Sequence, residues 1–599
     1  DSISPFFASF HKFQDLMATN SEWLTPEEPE ESPLVALLRG EGRGGMTQMP
    51  PTGLSYAERV DQTGRGLSID SLIRWIGTVE VNRDHAAPKC EDISPGTAPL
   101  RRMTREEYAN VIADVFATRT DPTVGFPPEI EAFGFDNNAE FATVNLLLAE
   151  QYFTAADVVA RELTESRRRL LARFSPNCTD VNTECLHDAL KRIATLAYRR
   201  PLSDEDAARI TSLFDETLDD SRNLRESLET VISAILQSPQ FLYRLEITNT
   251  NLDDADVVAV KGFEMASRLS FFLWASAPDF ELLQAAERGE LDTPEGVADM
   301  AEIMLDDPRA RRMVRRFYTQ WLGIKDLKHT DKNPQQYPAW SAGLARMMNE
   351  ETLAVVEHLT LDANANLETL FSTTLSFVEH ELGQLYGVDV PADGRRHRVE
   401  LPDGERNGVL QRGAFLARHA KHNQSSPIQR GVFIRERVLC QPLAPPPEDV
   451  DDEPPALDED ATTQERFAAH TENPSCAGCH TLIDPIGFGF ESFDGIGRFR
   501  AQENRLAIDT TVNLTGTDSL NGTYSDANEL TGALGQDAEV QRCMVIQWMR
   551  FASGRSQEPS DHCGVDATLN HLAESGLPLR QVIIAMTQTD SFLYRHGRH

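Results

Sequence analysis

Cys476, Cys479 and His480, in the run CAGCH, are the side chains whose types and spacing point most directly to chemistry. In a C-x-x-C-H sequence two thiols reach the two vinyl groups of one porphyrin, and the adjacent imidazole reaches its iron from one face. This is the attachment pattern of haem c. A redox dithiol also uses C-x-x-C but wants a βαβ setting, which the residues around Cys476 do not offer. Half of a tetrahedral zinc site needs a second ligand pair, and no other pair of that kind stands out. One covalent haem c, with His480 as the proximal ligand, is therefore expected. Pro485 falls where a backbone carbonyl could hold the proximal imidazole N–H, a contact that orients and tunes a ligand. Gly487, Gly489, Gly495 and Gly497 either bring the backbone close to a flat cofactor or mark ordinary turns. Arg498 and Arg500 could meet Glu491 and Asp494, or haem propionates; a propionate is the expected partner of Arg498, because a guanidinium fork matches it.

The second axial position of the iron separates two kinds of chemistry. Filled by His or Met, it makes an electron carrier; left open, it makes a peroxidase or an oxygenase. The candidates are His419 and His422 in FLARHAKHNQSSP, His470 just ahead of the motif, and Met544 or Met549. His470 is too near along the chain to reach the opposite face comfortably. Elsewhere, HELGQ at His380 begins like a zinc-protease helix but lacks the second His, and no phosphate-binding or nucleophile-elbow pattern is present.

The other six of the eight cysteines form an even set, as an oxidising compartment favours. Cys178 and Cys185 flank the polar loop NCTDVNTEC, which suits a local disulfide. Cys543 and Cys563 could pair likewise, leaving Cys90 with Cys440, although other connectivities stay open.

The elements that must position these groups read as helical. Thr104 and Glu107 form a capping box ahead of EEYANVIADVF. Apolar residues then recur at helical spacing over 141–173, 186–198, 203–217, 222–245, 261–275, 296–325 and 341–362, each stretch bounded by Pro, Gly or Asp/Asn clusters. The best strand pattern is RLAIDTTVNLTG, from Arg505 to Gly516. QPLAPPPEDVDDEPPALDED, with six prolines and eight acids in 20 residues, reads as an extended, solvated linker. Terminal helices are expected over 536–553 and 579–594. The fold class is mainly α, a multi-helical body with a C-terminal cytochrome c-like haem-binding region and little β. Its expected divisions are 1–90, helical modules over 91–250, a central helical module over 251–440, a linker over 441–460, the haem-binding region over 461–535 and a closing helical module over 536–599.

CAGCHTLIDPIGFGFESFDGIGRFR, from Cys476 to Arg500, resembles the signature of the large planctomycete-type cytochrome family, built of several modules once classed as domains of unknown function. LRRMTREEYANVIADVF and LAYRRPLSDEDAARI resemble its early helical modules, and RLSFFLWASAPDFELLQAAERGEL its central one. SSPIQRGVFIRERVLCQPLAPPPEDV resembles the approach to the haem block, and CMVIQWMRFASGR with the SFLYR ending its closing module. The resemblance spans roughly residues 100–595 and implies a haem and an exported location. It also implies a His near the SPIQRG turn, which here is His419, the favoured distal ligand. Residues 1–90 resemble the tail of a small cytochrome c domain, in which the Met of MPP ligates iron. That residue is Met49; either an attachment motif precedes residue 1 and Met49 is the candidate ligand of a second haem, or the segment is a haemless relic and Met49 a loop residue.

Composition narrows the function. With 94 acidic against 57 basic residues, the net charge of −37 repels nucleic acid and anionic lipid and suits steering toward a basic redox partner. Only eight of the basic residues are lysines, so the arginines are expected to be spent largely on internal ion pairs. No apolar window is long enough to span a bilayer, and the missing initiator Met reads as a processed or truncated chain, so a periplasmic or extracellular bacterial location stays open. The leading expectation is an electron-transfer cytochrome rather than an enzyme. A haem peroxidase or oxygenase, and a haem-bearing scaffold in a larger envelope or extracellular assembly, are the alternatives.

Overall fold

The computed structural model describes residue 90 and residues 92–596, apart from 179–181, 247–256, 403, 444–454 and 472–473. Met49, the expected module over 1–90 and most of the Pro/acid linker lie outside the described residues. So do the side chains of His470 and Cys476, although the backbone of both is described.

The first long helix, Arg105–Phe116, starts where the capping box places it. Thr104 accepts from the Glu107 N–H, and Glu107 accepts from the Thr104 N–H, so two orphan donors are satisfied. Helices Leu146–Thr164, Arg167–Phe174, Thr183–Tyr198, Asp204–Ser221 and Leu224–Gln237 follow, each opened by an Asn or Ser whose side chain accepts from the first turn. Their apolar stripes close on one core that includes Tyr108, Ile112, Tyr152, Ile193, Phe214, Ile232 and Phe241. The stretch 296–325, expected as one helix, is two, Pro294–Asp306 and Ala310–Trp321, with Pro308 at the break. Helix Ala342–Glu357 runs on into a π-helical turn, His358–Asp362. Strands are short and pair in twos, among them Arg101–Arg102 with Tyr243–Arg244 and Leu375–Val378 with His397–Glu400. The mainly α class is observed.

The chain divides into two units. The larger, a helical body, comprises Ile93–Asp331, Ala339–Arg418 and Leu534–His599. Phe317 stacks face to face on Trp548 there at 3.6 Å, with Trp321, Tyr318, Phe135 and Phe551 around them. The smaller holds the CAGCH segment and takes in Lys332–Pro338 and His419–Ala533. Lys332–Pro338 lies in the middle of the central stretch by sequence, yet its contacts are in the smaller unit. The Lys332 ammonium donates to the Ala420 and Lys421 carbonyls, and the Asn333 N–H donates to the His422 carbonyl. The expected strand region appears in this unit as two small hairpins, Gln502–Glu503 with Leu506–Ala507 and Val512–Leu514 with Gly522–Tyr524.

Candidate haem site

CAGCH lies inside one helix, Pro474–Phe488, which tolerates Pro485 near its last turn. The preceding helix, Thr463–Thr471, opens on Thr462, which exchanges hydrogen bonds with Glu465. His480 is half-buried, and its Nδ1 stands 3.0 Å from each carboxylate oxygen of Asp484. Four residues apart on a helix share one face, so the pair follows from sequence spacing alone. Asp484 itself is buried, at 3% exposure. The sequence signal for it is a His-x-x-x-Asp spacing inside a helix, which belongs to no catalytic motif. Pro485, expected to supply a backbone carbonyl to the imidazole, lies one residue beyond the carboxylate that takes the Nδ1 contact. The Cys479 thiol is free and exposed.

Two glycines fix this helix against its neighbour. Helix Pro427–Phe433 starts at Ser426, whose hydroxyl accepts from the Gln429 N–H. A Cβ on Gly431 would collide with the Ile483 carbonyl, and one on Gly487 with the Pro427 backbone, so the two helices touch backbone to backbone. The rest of the glycine series settles the same way. Beside Gly489 lies Val512, beside Gly495 lies the Tyr337 ring, and Gly497 takes a left-handed turn at φ 77°. Protein atoms occupy the close approaches at Gly487, Gly489 and Gly495, so packing and turns account for those glycines.

Buried arginines hold the loop that follows. Arg430, at 0% exposure, donates to the carbonyls of Phe490 at 3.0 Å, Phe493 at 3.3 Å and Asp494 at 3.2 Å. Arg435 donates to Leu482 at 3.0 Å and Gly516 at 3.2 Å, and to the Thr515 carbonyl. Beneath them Glu491 accepts from the Ser425 hydroxyl at 2.6 Å and pairs with Arg500 at 3.0 Å and Arg430 at 3.5 Å. Burial pushes the Glu491 carboxyl above its ordinary range against the pull of Arg430 and Arg500, and burial likewise lowers Arg430. Arg500 therefore takes the carboxylate option the sequence left open, pairing also with Glu503 at 3.3 Å. Arg498 is exposed; its backbone N–H donates to Asp494 at 2.8 Å.

The remaining candidates scatter. His419 sits in the same unit, half-buried, its ring packed at 5.0 Å on Phe433 from the helix that touches the CAGCH helix. Met544 and Met549 are buried on helix Ala538–Ser553 of the body. His380 is a satisfied structural residue, bonded through Nδ1 to the Val390 carbonyl at 2.7 Å and through Nε2 to Gln384 at 2.9 Å. Cys178 and Cys185 form the expected local disulfide. Cys90, Cys440, Cys543 and Cys563 are each disulfide-bonded as well.

Compared with protein families, the chain matches five in succession, each described as a protein of unknown function: DUF1587 over residues 101–165, DUF1595 over 185–246, DUF1592 over 260–388, DUF1588 over 406–503 and DUF1585 over 522–592. All five are known as planctomycete cytochrome-like modules. Together the five matches support a modular, planctomycete cytochrome-like family. CAGCH falls inside the fourth, and the boundary between units, at Arg418 and His419, runs through that same module. No curated protein and no solved structure matches the chain.

The cytochrome-like names imply a haem, and the donor set fits one. Cys479 is free while six other cysteines are bonded in disulfides, and His480 has its Nδ1 engaged by a buried carboxylate, so Nε2 is the nitrogen that would face an iron. Cys476, Cys479 and His480 would hold the group.

Proposed function

We infer that this modular protein is an exported c-type cytochrome that transfers electrons through one covalently bound haem c. The observation that carries the reading is the pairing of His480 with buried Asp484, one residue from the only free thiol among the described cysteines. Bound there, the haem supplies a reversible one-electron ferric/ferrous couple. The chain's own residues do the rest. Cys476 and Cys479 would form the thioether links, His480 would ligate the iron, and Asp484 would fix its tautomer by accepting from Nδ1–H. His419 is the candidate for a second ligand, and exposed Arg498 is available to a propionate. The Arg430 and Arg435 clamps keep the CAGCH helix and its loop from shifting when charge changes. Disulfide-bonded cysteines support a periplasmic or extracellular bacterial location, and the net charge of −37 suits a basic redox partner.

The test is spectroscopic. The matured protein is expected to give one covalent haem per described chain by pyridine haemochrome assay and a low-spin ferric EPR signal. Replacing His480 with Ala should abolish the normal axial spectrum while haem stays attached, and replacing His419 with Ala should convert low spin to high spin. A ferric high-spin signal with rapid cyanide binding would overturn electron carriage in favour of a peroxidase or oxygenase. Absence of covalent haem would overturn the reading altogether.

A further inference from the structure

We propose that Asp484 is the positioning residue that sets the reduction potential of this site, holding it low by placing a full negative charge on the far side of the His480 ring. The proposal rests on the covalent-haem reading above. Both Asp484 oxygens lie 3.0 Å from Nδ1, the carboxylate is 3% exposed, and the His480 side chain is itself mostly covered, at 15%. A carboxylate accepting from Nδ1–H gives the ring partial imidazolate character, and so strengthens its donation through Nε2. Ferric iron carries one more positive charge than ferrous iron, so a nearby buried anion favours the oxidised state. Low local dielectric makes that preference larger than at an exposed site. A backbone carbonyl in the same place would orient the ring equally well but contribute a dipole rather than a charge. Helix geometry makes Asp484 the group that reaches Nδ1, because it stands one turn beyond His480 on the same face.

Orientation and charge are separable by substitution. Asp484→Asn keeps an oxygen acceptor for Nδ1–H and removes the charge; Asp484→Ala removes both. In the matured full chain both variants are expected to retain covalent haem. Asp484→Asn should shift the ferric/ferrous equilibrium at least tenfold toward ferrous, a rise of about 59 mV in midpoint potential for one electron. Asp484→Ala should raise it as well and also alter the ferric EPR g values, since the ring is no longer held. A wild-type potential in haem-loaded Asp484→Asn overturns the proposal and leaves the cytochrome reading standing, whereas a wild-type chain without haem sinks that reading first. If Asp484→Asn fails to mature, the iron–imidazole stretch of the CO-photolysed ferrous wild type decides. A frequency matching carboxylate-bonded imidazoles supports the role, and one matching carbonyl-bonded imidazoles overturns it.

Discussion

Both units bury arginine, but they bury it against different partners. In the helical body a buried guanidinium mostly meets a side-chain acid. Arg316 pairs with Asp136 at 2.7 Å and Glu107 at 3.1 Å, and Arg555 pairs with Asp561 at 2.7 Å; Arg412 combines both kinds of partner, facing Glu351 at 3.2 Å while donating to the carbonyls of Gly408 at 2.9 Å, Thr373 at 2.8 Å and Leu375 at 3.0 Å. In the smaller unit Arg430 and Arg435 are spent mainly on backbone carbonyls. The reason is the backbone itself. A helix consumes its own carbonyls, so an arginine between helices needs a carboxylate, whereas the loops after the CAGCH helix leave carbonyls that need donors. Arg199 obeys the same logic inside the body. Its partners are the carbonyls of Ala197, Gln240, Phe241 and Tyr243, where helices end and a short strand begins. With only eight lysines in the chain, the planar fork does this work in both places.

The sharpest break of that comparison is at Arg412. Its removal leaves Glu351 buried, with the hydroxyls of Ser376 at 2.6 Å and Thr352 at 3.1 Å as donors in place of a cation. Arg412→Leu is expected to lower body stability by about 3–5 kcal/mol, read by denaturant unfolding, because an uncompensated buried charge remains. Arg412→Met combined with Glu351→Leu should recover part of that loss, since the buried charge goes while the carbonyls of Gly408, Thr373 and Leu375 still lack their donor. A single-variant loss below about 1 kcal/mol would show the pair to be energetically idle.

Arg430→Met should cost less, about 1–3 kcal/mol, since Glu491 loses its 3.5 Å contact to Arg430 but keeps both Arg500 and Ser425, and most of the loss is in carbonyl bonds. The effect is expected to be local, seen as faster amide exchange across residues 482–494. A loss as large as that of Arg412→Leu would erase the distinction between acid-pairing and carbonyl-capping arginines.

How much of this was legible depended on whether a signal was local. The Thr104–Glu107 capping box and the Cys178–Cys185 loop are set by residues a few positions apart, and they appear as read; the helical stretches appear as helices, but 141–173 and 296–325 are each broken in two. HELGQ was rightly discounted, because one turn of helix is enough to see that its second His is missing. The glycines could not be assigned from spacing, since their neighbours, Pro427, Val512 and Tyr337, are remote in sequence. Nor could Lys332–Pro338 be assigned to the smaller unit, because its partners begin near residue 420. Asp484 is legible in the spacing, four residues beyond His480 on one helix face, one position before the Pro485 carbonyl that was the expected acceptor.

Acid titration tests the comparison most finely. In the body, burial raises the Glu107 carboxyl, but Arg244 and Arg316 outweigh it and hold the group well below the usual carboxylate range. Glu107 therefore contributes stability that is present above its unfolded value of about 4.3 and lost as pH falls below it. Glu491 has the opposite sign. Burial holds it above its ordinary range despite Arg430 and Arg500, so the folded state binds the proton more tightly than the unfolded chain does. Its contribution is fully present below about pH 4.3 and is lost as pH rises through the folded value. Amide exchange corrected for intrinsic rates should therefore diverge between pH 6 and pH 3, a window set roughly by the carboxylate range. Protection in helix Arg105–Phe116 should fall, and protection around 488–494 should hold or grow. Glu107→Gln should flatten the first response and Glu491→Gln the second. Parallel loss in both regions would mean that acid acts through the net charge of the whole chain rather than through these two buried carboxyls.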